Sequence, residues 1–182
     1  MTKRTKRIAL FAVSFPFMLA ACAIGSDRSP SASALATLKP TQGNQVAGSV
    51  RFEQYGNKAR VIATVTGLKP GAAHGFHVHE KGDCSAADAM SAGGHFNPLG
   101  QPHGAHDKPP HHAGDMPNLT ADATGTAMLR WEGEALSVGS GPANVVGRSV
   151  IVHRDPDDYK TQPTGNSGPR LACGVIQSGS GG

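Results

Sequence analysis

His77 and His79 stand two residues apart in "GFHVHE", so any strand that contains them presents both on one face and turns Phe76 and Val78 to the other. Two imidazoles side by side suit a metal, although an isolated His-x-His also reads as two ordinary strand histidines, because nothing local fixes a third ligand. The segment "GGHFNPLGQPHGAHDKPPHHAGD" is more demanding. Its His95, His103, His112 and Asp115 follow one another at gaps of eight, nine and three residues and offer four N/O donors suited to a tetrahedral zinc ion. The strand pair together with His153, at the end of "SVIVH", offers a histidine-only set suited to copper.

The elements that must position these side chains read as strands. Short β-type runs, "ALATL", "VAGSVRFEQYG", "ARVIATVTGL", "HGFHVHE", "GTAMLRWEG", "RSVIVH" and "LACGVIQ", are separated by turn signals such as "KPG" and "DATG". The composition agrees: Gly 24 and Pro 13 with 5% aromatic residues point to a turn-rich β protein, and 182 residues suffice for one domain with a full core. No convincing helix is visible. The pattern predicts an all-β sandwich or barrel whose rhythm is broken by two long loops, Lys81 to Pro117 and Arg154 to Pro169. Loops of that length inside a compact domain are usually functional, and metal ligands with a disulfide would order them.

A sequence pI near 9.2 suggests an anionic partner until the charges are located. Lys3, Arg4, Lys6 and Arg7 precede an apolar run, Ile8 to Ala21, that is too short to span a bilayer and ends in "LAAC". Residues 1–21 therefore read as an export signal, and Leu19 to Cys22 resembles the bacterial lipoprotein box in which the cysteine is acylated. Removing residues 1–21 takes four of the 17 Lys and Arg and none of the 13 Asp and Glu, leaving 13 against 13. The remaining chain is formally neutral, which removes the argument for nucleic acid; the membrane enters only through a lipid at Cys22. Residues 22–34, rich in Ser and Ala, read as a tether, residues 35–177 as the folded domain and residues 178–182 as a mobile tail. With Cys22 assigned to lipid, Cys84 and Cys173 are the only possible intramolecular pair, and an oxidising compartment would join them.

"GFHVHE", "GGHFNP", "HHAGD", "VIVH" and "TGNSGPRLACGVI" resemble the successive motifs of the copper, zinc superoxide dismutases of the bacterial exported branch, in the family's order and spacing, from about residue 35 to residue 177. The resemblance implies an eight-stranded Greek-key β-barrel, flattened like a sandwich, with two long functional loops. It implies copper held by His77, His79, His95 and His153, and structural zinc held by His95, His103, His112 and Asp115, so that His95 bridges both metals as an imidazolate. It makes Asp157 the carboxylate that links a copper histidine to a zinc histidine, Cys84 and Cys173 the disulfide that pins the first loop, Arg170 the arginine over the copper, and Thr164 the residue that narrows the channel beside it.

What the resemblance implies about activity is the disproportionation of superoxide to dioxygen and hydrogen peroxide, with Arg170 docking the anion and His95 supplying a proton, in protection of the cell envelope. His74, His106 and His111 match no ligand position and are expected to be solvent-exposed. The choice of His112 over His111 rests on the three-residue gap to Asp115. Pro169 departs from the polar residue expected beside Arg170, and Lys160 is one charge in the second loop. A non-enzymatic copper-binding lipoprotein is the competing reading; it would need the histidines but not Arg170. Monomer and homodimer both remain open, with Met128 and Trp131 as interface candidates. Ala23 after Cys22 lacks the aspartate that favours the inner membrane and leans the expected location to the periplasmic side of the outer membrane.

Overall fold

The computed structural model describes Thr2 and residues 29–179; the rest of the expected export signal, Cys22 and the last three residues lie outside them. Ten strands account for the described regular structure: β1 Ala32–Pro40, β2 Ala47–Tyr55, β3 Lys58–Thr66, β4 Ala73–His74, β5 Phe76–His79, β6 Leu119–Thr120, β7 Ala127–Gly133, β8 Ser149–His153, β9 Arg170–Val175 and β10 Gln177–Ser178. A single 3-10 turn, Met90–Ala92, is the only helical element among the described residues. The fold is all-β, as the run of short alternating segments predicts.

The long sheet runs β5-β8-β9-β1-β2-β3-β7, antiparallel throughout, with β10 continuing β9 alongside β1. Its two edges are not left open. β4 leads directly into the edge strand β5, β6 leads through the Asp122–Thr126 turn into the opposite edge strand β7, and β4 pairs with β6. That short pair curls the sheet onto itself and completes an eight-stranded barrel when β4 with β5 and β9 with β10 are each counted as one broken strand. The jump from β3 to β4 across β7 and β6 is the Greek-key connection.

Period-two alternation fills the barrel. In β3 Ala59, Val61, Ala63 and Val65 are buried while Lys58, Thr64 and Thr66 are exposed. Phe52, Phe76, Val78, Leu119 and Val150 join them in one core, each fully buried large side chain contributing roughly 1.5–3 kcal/mol. β1 begins at Ala32, three residues ahead of the expected Leu35, because Ala34 continues the buried alternation of Ala36 and Leu38 and pairs with Phe52.

The first long loop differs from its expected character. Its composition looks too polar to pack, yet Phe96 and Met116 enter the main core, and Ala89 and Ala92 pack with Ile151 and Cys173 under the disulfide. Its backbone also docks on β5: Val78 donates to Gly114 O at 3.0 Å and Phe96 donates to Val78 O at 2.8 Å. The two ends of the loop are therefore anchored by packing, and the mostly exposed span between them carries His103.

Candidate metal centre

β5 has both faces covered. Phe76 and Val78 face the core, and His77 and His79 lie wholly buried on the outer face beneath the loops. His153 ends β8, two positions beyond Ile151, which pairs with His77, so the two histidines share a face. At that point β9 carries one extra residue: Val152 pairs with Ala172 but His153 pairs with Arg170, so Leu171 is skipped. Directly paired residues share a face of a sheet, and this bulge therefore puts Arg170 beside His153.

Each of the three strand rings spends one nitrogen on the scaffold and turns the other inward. His79 Nδ1 donates to Gly93 O at 2.9 Å, His153 Nδ1 donates to Gly168 O at 3.0 Å, and His77 Nε2 donates to Asp157 Oδ2 at 2.8 Å. What remains is a converging set. His79 Nε2 and His153 Nε2 are 3.3 Å apart, and His77 Nδ1 and His95 Nε2 are buried with no hydrogen-bond partner. The donor atoms of His77, His79, His95 and His153 all lie within 4.8 Å of one another. Burial, then the neighbouring ring of His95 or His77 and the charge of Arg170, holds His79 and His153 well below the usual imidazole range, and burial also lowers His77. The rings are neutral and their free lone pairs meet at one point, as metal ligation requires.

The second group gathers on a carboxylate. Asp115 Oδ1 lies 2.8 Å from His95 Nδ1, 3.1 Å from His103 Nδ1 and 3.4 Å from His112 Nδ1, while Oδ2 accepts the backbone N–H groups of His112 and Gly104. Burial would raise the Asp115 carboxyl, but the rings of His103, His112 and His95 crowded on it hold it far below the usual carboxylate range. Burial likewise opposes charge on His103, and the two carboxylates beside it, Asp115 and Asp157, outweigh that and push it up to about 9. The pocket thus calls for a cation between its carboxylates. His95 belongs to both groups, with Nδ1 in the second and Nε2 facing the first; burial and His77 lower it to about 4, so its ring is neutral.

Asp157 ties the two groups together. Its Oδ2 accepts from His77 and its Oδ1 from His103 Nε2 at 2.9 Å and from the Tyr159 N–H at 2.7 Å. Asn118 locks it in place through two bonds of 2.9 Å to the Asp157 backbone. Gly165, at a φ of 63°, passes so close that a Cβ there would lie 1.8 Å from Asp157 Oδ1, and only glycine fits. Arg170, half-buried, donates to Ala89 O and Gly93 O, so Gly93 O serves both His79 and the arginine. A cavity of about 860 Å³ opens over these residues, lined by His79, His153, Arg170, Thr164 and Asp88.

The sequence profile of the family described as copper/zinc superoxide dismutase (SODC) matches residues 46–176. The chain belongs to the copper/zinc superoxide dismutase family. A solved structure described as the clock protein EA4 is similar to it at 38% identity with a TM-score of 0.73, over 82% of this chain and 96% of that one.

For a copper/zinc superoxide dismutase the donors must fit two different ions, and here they do. Three of the five buried side-chain atoms without hydrogen bonds among the described residues, His77 Nδ1, His95 Nε2 and His103 Nδ1, lie in the two groups, at a cost that an ion at each group would remove. The all-imidazole group matches copper and the His3Asp group matches zinc. Cys84 and Cys173 form the disulfide within this dismutase fold, 89 residues apart in sequence. The three remaining histidines are not the exposed residues expected of them. His74 is buried, with Nδ1 donating to His153 O at 2.9 Å, because its alternation in β4 turns it inward. His106 is half-buried between the rings of Trp131 and Tyr159, and His111 bonds His112 O at 2.7 Å. None of them joins either group. Pro169 leaves the guanidinium bonds of Arg170 intact, and its carbonyl accepts the Arg154 N–H at 2.8 Å. Met128 is exposed on β7, Trp131 packs half-buried against the core, and Lys160 is exposed. The carbonyls of Ala89 and Gly93 are supports that sequence reasoning missed, since backbone acceptors leave no side-chain signal, and Asn118 escaped it because the Asp157 backbone it holds lies 39 residues away.

Proposed function

We propose that the protein disproportionates superoxide, taking two superoxide ions and two protons to one dioxygen and one hydrogen peroxide. The observation that carries this reading is the shared ring of His95, with one nitrogen in each group, beside an arginine that opens on a cavity. Copper would be held by His77, His79, His95 and His153, and zinc by His95, His103, His112 and Asp115. Copper supplies the redox chemistry by alternating between two oxidation states, and zinc, which has none, is structural.

The chain's own residues do the rest. Arg170 has two of its five N–H groups committed to backbone carbonyls, which fixes the guanidinium plane and leaves the others for a small anion. His95 Nε2, buried and without a hydrogen bond, is the atom that would hold one of the two protons whenever it is not bound to copper. Asp157 keeps the His77 and His103 rings oriented by accepting from both. Thr164 lines the cavity with Arg170, where it would narrow the approach to copper.

The test is reconstitution with copper and zinc followed by measurement of superoxide loss. Arg170→Ala is expected to keep both metals and to lose roughly 10-fold or more in rate at low ionic strength, because it touches substrate and not metal. Full activity in that variant, with metal content confirmed, would remove Arg170 from the mechanism. A copper-binding lipoprotein without catalysis would take up both metals and leave superoxide untouched.

We also propose that the chain is exported by a bacterial cell and anchored at Cys22 in the outer membrane, as monomer or homodimer, with the tether shortened from the expected 22–34 to residues 22–31 because Ala32–Ala34 pair in β1; the basis is the charged and apolar pattern of residues 1–22. Cys22→Ser should move the protein from the membrane pellet to the soluble fraction, since a neutral domain carries no second anchor. Continued pelleting after a salt wash would mean another attachment.

A further inference from the structure

Arg170 is gripped from a second direction by the turn between β1 and β2, which contributes no donor to either metal group. Buried Thr41 donates its backbone N–H to Leu171 O at 3.0 Å, and its Oγ1 lies 2.7 Å from Arg170 O and 3.2 Å from Leu171 O. Asn44 Nδ2 donates to the same Oγ1 at 2.8 Å. A hydroxyl that accepts from Asn44 directs its one hydrogen to the nearer carbonyl, that of Arg170. The turn is closed by Asn44 N–H donating to Thr41 O at 3.0 Å, and Gly43, at a φ of 79°, occupies the position that demands a left-handed residue. Gln42 N–H donates to Ala87 O at 2.8 Å, so the turn also steadies the segment whose Ala89 carbonyl receives the guanidinium.

We propose that Thr41 is a positioning residue for Arg170: its hydroxyl fixes the Arg170 carbonyl at the bulge, and the turn it belongs to fixes a carbonyl acceptor of the side chain. A bulge leaves one residue of its strand outside the regular ladder, and there a hydrogen bond from elsewhere decides the local backbone path. Leu171 beside it is only half-buried, so packing alone does not hold this stretch. The inference rests on the reading of Arg170 as the group that docks a small anion over copper.

Azide, a small anion, is the probe, titrated into copper- and zinc-loaded protein and followed by its visible absorption. Thr41→Val removes the hydroxyl at constant shape and should weaken azide binding about fivefold, the effect of one neutral hydrogen bond, with both metals retained. Thr41→Ser keeps the hydroxyl and should stay within about twofold of wild type, and Asn44→Ala should fall between them. In an Arg170→Ala background Thr41→Val should add nothing. The proposal is overturned if Thr41→Val binds azide like wild type, if Thr41→Ser is as weak as Thr41→Val, or if the loss is undiminished without Arg170. It is overturned too if Arg170→Ala leaves azide affinity unchanged. Should Thr41→Val not fold, Asn44→Ala takes its place in the same comparison. Because azide binding is read without turnover, a protein that failed to consume superoxide would refute the proposed activity while the azide series still decided on Thr41.

Discussion

Asp115→Ala is expected to remove zinc first and alter copper second, although Asp115 belongs only to the second group. Its Oδ1 is the point on which three imidazole nitrogens converge, and its Oδ2 holds the backbone of His112 and Gly104. Losing a supporting hydrogen bond to a ligand costs about 10–100-fold in metal affinity, and losing a ligand that also organises the loop costs more. His95 then loses its Nδ1 partner and is free to turn, which moves Nε2 away from His77, His79 and His153. The barrel should persist, because its core is built on strands, and Phe96 and Met116 keep the two ends of the loop in place. Zinc titration and the copper electron paramagnetic resonance spectrum of zinc-free Asp115→Ala check this. A copper spectrum identical to that of wild type would show that packing alone orders His95.

Cys84→Ser is expected to have the largest effect on stability. The bridge closes a loop of 89 residues, worth about 4–5 kcal/mol in the chain-entropy description. For a chain of this size that corresponds to a fall in Tm on the order of 10 °C. The same bridge holds the segment whose carbonyls at Ala89 and Gly93 orient Arg170 and His79, so anion binding should weaken with it. Calorimetry and azide titration on Cys84→Ser read both effects. A fall of only a few degrees would assign the loop's order to the packing of Ala89 and Ala92 against Ile151.

Much of this was legible in the chain because period-two strands put function and core on alternate residues. His77 and His79 could be assigned to one face and Phe76 and Val78 to the other from spacing alone. The gaps from His95 to Asp115 identified a donor set because donor chemistry is a property of residue type. Burial was harder to read. His74 looks like a spare polar residue, but its place in β4 turns it inward to a carbonyl of β8 that sequence does not reveal. The first loop looked too polar to pack because its few apolar residues, Phe96 and Met116 among them, are scattered rather than periodic. Thr41, Asn118 and the carbonyls that hold Arg170 act through backbone bonds between segments as much as 130 residues apart, which no local pattern announces.

The central claim is that one histidine, His95, belongs to two different metal sites. Anomalous diffraction at the copper and zinc absorption edges, on crystals of the reconstituted protein, tests it most directly. The account predicts one copper peak among His77 Nδ1 and the Nε2 atoms of His79, His95 and His153, and one zinc peak among the Nδ1 atoms of His95, His103 and His112 with Asp115. A single ion, or a His95 ring with either nitrogen turned away from metal in the oxidised protein, would contradict it.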